Sequence, residues 1–288
     1  MSSVRGPILM VAAMAGFAIE DAFIKTLALR IPAGEIAIAL GLIGGLVFGL
    51  MVRREGGRLM NLRALKGAVL WRNLFETGAV MTMVLGVAIV PLSVVSSILQ
   101  AVPLTVTLGA ALFLGESVGW RRWSAILVGF VGVLMIVRPG MAGFDVLVLI
   151  PLLAVVFLTG RDLVTPSVPR DISTFKISGW GFLTGVPGGL MLLAITGDAP
   201  VMPNALEAVL MLGTAVSGIL AYAALVLATR AGNLGATTPF RYARLVFAMI
   251  IGVTLFGERP DAMTLAGAGL IVVAGFYTLM RNLRLRER

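Results

Sequence analysis

The stretch GFAIEDAFIKTLAL (residues 16–29) sets Glu20, Asp21 and Lys25 into a run that is otherwise apolar from Pro7 onward. A second group, Arg72, Asn73 and Glu76, interrupts AVLWRNLFETGAV (68–80), and Arg241, Tyr242 and Arg244 follow one another in PFRYAR (239–244). At helical spacing Asp21 and Lys25 are four apart, as are Arg72 and Glu76, and Asn73 stands three before Glu76, so each set shares a face. Ser96 and Gln100 do the same. Carboxylates beside cations can bind a charged solute or pass a proton. Covalent or metal chemistry has little to work with, because the chain has neither cysteine nor histidine. No catalytic residue, metal ligand or cofactor is expected.

The elements that must hold these groups follow from composition. Hydrophobic residues make up 59% of the 288, charged residues 13%, and mean hydropathy is +1.02. A soluble domain carries roughly 25% charged residues. This chain cannot coat a water-exposed surface and reads as an all-α integral membrane protein. The net charge of +9 comes with no soluble module or sustained basic face, which argues against a nucleic-acid partner. The N-terminus has a basic lead and an apolar run but no clear small-x-small cleavage site, and it reads as a retained first helix.

Apolar runs long enough to span a membrane fall near 7–29, 34–52, 68–88, 92–114, 122–138, 144–160, 175–196, 206–228, 235–256 and 262–280. They must be helices, since lipid leaves backbone groups no other partners, and the alternation of a membrane barrel is missing. With the N-terminus cytoplasmic, 16 of the 23 basic residues lie on the inner side. Both termini are therefore expected in the cytoplasm, with the chain multi-pass in the cell (inner) membrane and surrounded by lipid. All four tryptophans, Trp71, Trp120, Trp123 and Trp180, fall at expected cytoplasmic helix ends.

On these spans Asp21, Glu76, Gln100 and Tyr242 lie about 10–12 Å from their helix ends, hence close to the midplane of a core about 30 Å thick. Charges at that depth should face the bundle interior. The expected substrate-binding set is Phe17, Asp21, Lys25, Arg72, Asn73, Glu76, Gln100, Arg241 and Tyr242. The competing reading has each i, i+4 pair neutralise itself and lock two helices. Arg241 and Arg244 could equally snorkel to the interface, and Glu116 and Glu258, at helix ends, could bond loop amides. Glu20, Asp21 and Glu76 stand against Lys25, Arg72, Arg241 and Arg244, one positive charge over, which suits an anionic or electron-rich solute. Glu20 has no basic residue three or four positions away, so it is the expected proton carrier if a proton is coupled.

The chain also repeats itself. Gly41, Gly45 and Gly49 recur as Gly181, Gly185 and Gly189 at an offset of 140, and the Gly-Glu of LFLGESVGW (112–120) recurs in TLFGERPDA (254–262) at 142. Five spans per half is an odd number, so the second half enters the membrane inverted. The expected fold is a five-plus-five inverted repeat around a central cavity, with halves at 1–142 and 143–288. The glycines serve close helix packing directly.

PLTVTLGAALFLGESVGWRRWSAILVGFVGVLMIVRPG (103–140) and PFRYARLVFAMIIGVTLFGERPDAMTLAGAGLIVVAG (239–275), with EDAFIKTLA and VPLSVVSSI, resemble the drug/metabolite transporter superfamily in its ten-helix EamA-type branch. The resemblance implies a secondary transporter moving a small organic solute such as an amino acid, vitamin, nucleoside or drug, by alternating access, with a proton or counter-substrate as coupling partner, as monomer or homodimer. One departure is AIALGLIGG (37–45), where many relatives carry an arginine after the opening Glu. A channel and an intramembrane enzyme are the rival classes. No Walker A sequence is present to bind ATP.

Overall fold

A computed structural model describes residues 5–60, 62–115, 119–141, 144–169, 171–230 and 238–286. Among them every regular element is a helix: α1 (Arg5–Leu27), α2 (Ala33–Arg54), α3 (Gly67–Ile89), α4 (Leu92–Leu99), α5 (Val102–Phe113), α6 (Trp120–Val137), α7 (Leu149–Val164), α8 (Thr174–Leu183), α9 (Gly185–Thr196), α10 (Ala205–Arg230), α11 (Ala243–Phe256) and α12 (Ala262–Arg286). Short 3-10 turns complete the set, including Thr165–Ser167 after α7 and Thr238–Tyr242 before α11. Six stretches among the described residues are long and apolar enough to cross a membrane: Gly6–Leu27, Ala33–Arg54, Leu92–Phe113, Val146–Ser167, Thr174–Thr196 and Ala205–Leu225. Trp123–Val137 and Ala262–Tyr277 are shorter apolar helices. Glu116 lies outside the described residues, as does the expected start of the span at 235.

Two of the six spans are interrupted, and proline explains where. Pro103 in the first turn of α5 cannot donate a backbone hydrogen bond, and its ring crowds the carbonyl four residues back, at Leu99. The α4 helix therefore stops there, and Gln100 and Ala101 make tighter bonds to Ser97 and Ile98. Pro187 acts alike on Leu183, where α8 gives way to α9. The ladder before α11 is also broken, since a 3-10 turn carries Arg241 and Tyr242 into its first turn.

Packing pairs α1 with α10, α3 with α7, α2 with α8 and α9, α6 with α12, and α11 with α1 and α4. The glycines let two of these crossings close to backbone contact. A Cβ on Gly34 would meet Gly189 O at 2.5 Å, and one on Gly189 would meet Gly34 O at 2.3 Å. Gly132 and Gly267 oppose each other likewise at 2.6 Å in both directions. Gly41, Gly45 and Gly185 line the α2 crossing as the four-residue period predicts, but Gly49 and Gly181 do not. Gly49 faces Leu59, and Gly181 faces Arg72 and Glu76.

One end of the bundle is tied shut. Arg30 bonds Glu207 and Met202 O, Glu35 accepts from Val201 N, and Arg138 bonds Asp261. Beneath these ties lies one continuous core that includes Leu27, Ile31, Ile36, Val87, Val90, Leu92, Ile98 and Ile136. The opposite end is divided. Met10, Ala13, Met14 and Ala228 form one small cluster, and Val69, Val168, Ile172 and Trp180 form another. Trp180 corrects an expectation: it is buried at 4% exposure and donates to Leu59 O at 2.8 Å, serving a core rather than an interface belt.

Candidate functional site

Between the two small clusters run charged side chains. On α3, Arg72 Nη2 lies 3.2 Å from Glu76 Oε2. The pair sits beside Gly181, whose missing side chain leaves it room. Glu76 Oε1 also accepts from Arg161 Nη1 at 3.3 Å, and Arg161 in turn holds Asp162 at 2.8 Å. Its place just beyond the apolar run ending at 160 suggests a cytoplasmic loop for Arg161. Instead α7 runs on to Val164 and a 3-10 turn to Ser167, which brings Arg161 and Asp162 onto Glu76. A usable signal existed, since the 140-residue offset carries Asp21 onto Arg161. Arg241 completes the group. It is exposed and stands within electrostatic reach of Asp162, Arg161 and Tyr242.

Asp21 has a different partner from the one its spacing suggests. Its carboxylate is gripped by Arg244, with Nη2 2.7 and 3.0 Å from the two oxygens and Nε at 3.2 Å. Phe17 supplies a ring 5.4 Å from the same guanidinium, a cation–π contact in addition to the fork. Lys25 instead reaches Val90 O at 2.8 Å, and its Nζ stands 3.9 Å from Glu258. Glu258 accepts from Leu92 N, Ser93 N and Ser93 Oγ, capping α4 from the far half of the chain. Gly252 leaves it the space. Lys25 and Glu258 thus join the end of α3 to the start of α4, and the expected Asp21–Lys25 pair does not form. Asn73 donates to Ala64 O at 3.1 Å and accepts from Arg72 Nη1 at 3.4 Å instead of pairing with Glu76. Glu20 makes no hydrogen bond or ion pair among the described residues. Its carboxyl fills the space over Gly218 on α10.

Four buried polar atoms have no hydrogen-bond partner among the described residues: Arg72 Nε, Glu76 Oε2, Ser96 Oγ and Tyr242 OH. Glu76 Oε2 lies near Arg72 without the alignment a hydrogen bond requires. Gln100 is 6% exposed at the break after α4, on the face of Ser96. Tyr242 stands at the matching break before α11, its hydroxyl in the space left by Gly275. Each orphaned group costs about 1–3 kcal/mol if nothing ever satisfies it. In a bundle interior such a set is suited to a polar ligand that arrives and leaves. Among the described residues no group of three or more acidic side chains could hold a metal ion.

The model of the EamA-like transporter family matches twice, over residues 4–138 and 146–280. A riboflavin transporter of Rhizobium johnstonii is 31% identical over 235 residues, covering 80% of this chain and 76% of its own. A pseudopaline exporter of Pseudomonas aeruginosa is 29% identical over 278 residues, with 93% and 94% covered. An S-adenosylmethionine uptake transporter of Rickettsia felis is 26% identical over 203 residues, with 70% and 68% covered. One crystal structure superposes with a TM-score of 0.58 at 19% identity, covering 96% of this chain and 99% of its own, which speaks to the fold alone.

Proposed function

The chain belongs to the EamA-like transporter family, and on that premise we propose that it is a secondary transporter of a small organic metabolite. The named relatives carry riboflavin, S-adenosylmethionine and pseudopaline, so the family likeness points to a class of cargo rather than one compound. The observation that carries the reading is the unpartnered polar set, Arg72, Glu76, Ser96 and Tyr242, buried inside an otherwise apolar bundle. Gln100 and Arg241 join it, while Asp21, Arg244 and Phe17 brace its flank. Lys25 bonds a backbone carbonyl and supports the site from outside, while Asn73 links Arg72 to the Ala64 carbonyl.

Alternating access between two inverted halves, 1–142 and 143–288, is the proposed mechanism. Several features support it. The family model matches each half separately. Exchanging the halves turns the α1–α10 packing into α7–α3 and returns the α2–α9 and α6–α12 crossings to themselves. Those two crossings carry reciprocal glycine contacts, the signature of an isologous interface. Helix breaks at Gln100 and Tyr242 fall at corresponding positions, as in transporters whose sites lie at discontinuous helices. One end tied by ion pairs and the other divided into two apolar clusters suits a state open on one side. The excess of basic residues on that side supports a cytoplasmic opening, with both termini there and the chain in the inner membrane. Glu20 is the proposed proton carrier, on its lack of any ion pair among the described residues.

Counterflow in proteoliposomes tests the reading. Wild type should show saturable exchange with at least one small organic metabolite from a panel that includes carboxylates and phosphates. Glu76→Gln should abolish it while the purified variant stays monodisperse. Full exchange by that variant would overturn the assignment of the site.

A further inference from the structure

The charge of the site bears on the choice of cargo, an inference that rests on the transporter reading. Three guanidiniums, Arg72, Arg161 and Arg241, stand with two carboxylates, Glu76 and Asp162. Glu76 is shared between Arg72 and Arg161, and Asp162 is held by Arg161. Both carboxylates are therefore engaged, while Arg241 has neither hydrogen bond nor ion pair among the described residues and is exposed. The neighbouring Asp21–Arg244 pair is closed on itself and offers Arg241 nothing. Glu20 is set apart in the α1–α10 contact over Gly218.

The cluster thus holds one positive charge over, and it belongs to an accessible planar fork. A guanidinium matches the two oxygens of a carboxylate or phosphate, and the pairing is strongest away from bulk water. A cationic solute would add to an excess already present. A neutral one would displace water from Arg241 and leave it without a partner, which is costly. The Tyr242 hydroxyl, on the residue next to Arg241, and the Arg72 Nε and Glu76 Oε2 atoms of the cluster have no hydrogen-bond partner among the described residues, and neither has Ser96 Oγ on α4. We propose that the transported metabolite is an anion, its carboxylate or phosphate bound by Arg241 and its polar remainder read by Tyr242, Ser96 and Gln100.

Untargeted mass spectrometry of cells and medium tests this with no cargo chosen in advance. A heterologous bacterium would express wild type, Arg241→Gln, Arg241→Lys or the empty vector, with each purified variant checked for monodispersity. Metabolites redistributed by wild type should be net anions at neutral pH, and their identities separate carboxylates from phosphates. Arg241→Gln should weaken the effect about tenfold or more, the worth of one charge-assisted hydrogen bond. Arg241→Lys, which keeps the charge without the fork, should fall between. Redistribution of cations or neutral compounds would overturn the proposal whatever the variants do, and so would undiminished transport by Arg241→Gln. If wild type redistributes nothing relative to vector, the transporter reading itself fails and this inference falls with it.

Discussion

Replacing Asp21 by Asn removes the charge that Arg244 grips and leaves the guanidinium in place. The two side chains are 4% and 20% exposed, and three N–H groups to oxygen contacts of 2.7–3.2 Å join them. Breaking one side of a buried ion pair costs about 3–5 kcal/mol, mostly from the stranded charge. The residual exposure of Arg244, the Phe17 ring at 5.4 Å and one accepting oxygen on the new amide all soften the loss. A cost of about 3 kcal/mol, the low end of that range, is then expected. At about 2–4 °C per kcal/mol for a chain of this order of size, the melting midpoint should fall by about 6–12 °C. Thermal unfolding of detergent-purified protein, followed by tryptophan fluorescence, measures it. The double variant Asp21→Asn/Arg244→Gln strands no charge and should recover most of the midpoint. Lys25→Met should add independently, since Lys25 bonds Val90 O instead of Asp21. A midpoint for Asp21→Asn within about 1–2 °C of wild type, or a double variant no better than the single, would refute the pairing.

Two further outcomes follow from close contacts and from charge. Gly185→Leu should abolish transport, because its Cβ would stand 2.6 Å from Ala37 O, a backbone atom that cannot yield, whereas Gly45→Leu meets the flexible Leu183 side chain at 2.4 Å and should be milder; equal turnover in counterflow for both variants would contradict this. At the tied end, the bond from Arg138 and the Thr264 N–H hold the Asp261 carboxyl well below the usual carboxylate range. Its contribution is therefore complete above the unfolded value of about 3.9 and lost as pH falls below it. The effect should be small at so exposed a site, and Asp261→Asn should remove it from midpoints measured between about pH 3 and 5.

Much of the architecture was legible because a bilayer enforces it. Helix boundaries follow apolar length, and Arg5–Leu27, Ala33–Arg54 and Gly67–Ile89 fall within a few residues of their expected spans. The interruptions at Leu99 and Leu183 could have been read from Pro103 and Pro187. Partners were harder. Spacing along one helix identified Arg72 with Glu76, a local pair, but it equally suggested Asp21 with Lys25, and there a residue 223 positions away prevails. One-dimensional periodicity ranks neighbours on a helix and says nothing of the helix opposite. Arg161 was missed because a charged pair at the end of an apolar run resembles a loop, although the helix carries it inward. Gln100 and Tyr242 were singled out by their depth along the expected spans and by their match at an offset of 142, a correspondence between helices that spacing along one helix cannot supply.

We propose a polar site inside the bundle that opens to one side at a time. The absence of cysteine allows a single reporter at Gly181, where an added Cβ would sit in ordinary van der Waals contact, 3.7 Å from Arg72 Nη2 and 3.8 Å from Glu76 Cδ. Gly181→Cys in oriented membrane vesicles would be exposed to a membrane-impermeant thiol reagent from either face. The account predicts labelling from the face carrying the divided end, near Leu59 and Ile172, and protection from the face carrying Arg30 and Glu207. Equal labelling from both faces at once would mean a continuous pore, and labelling from neither would mean a sealed structural core; either result would contradict the carrier.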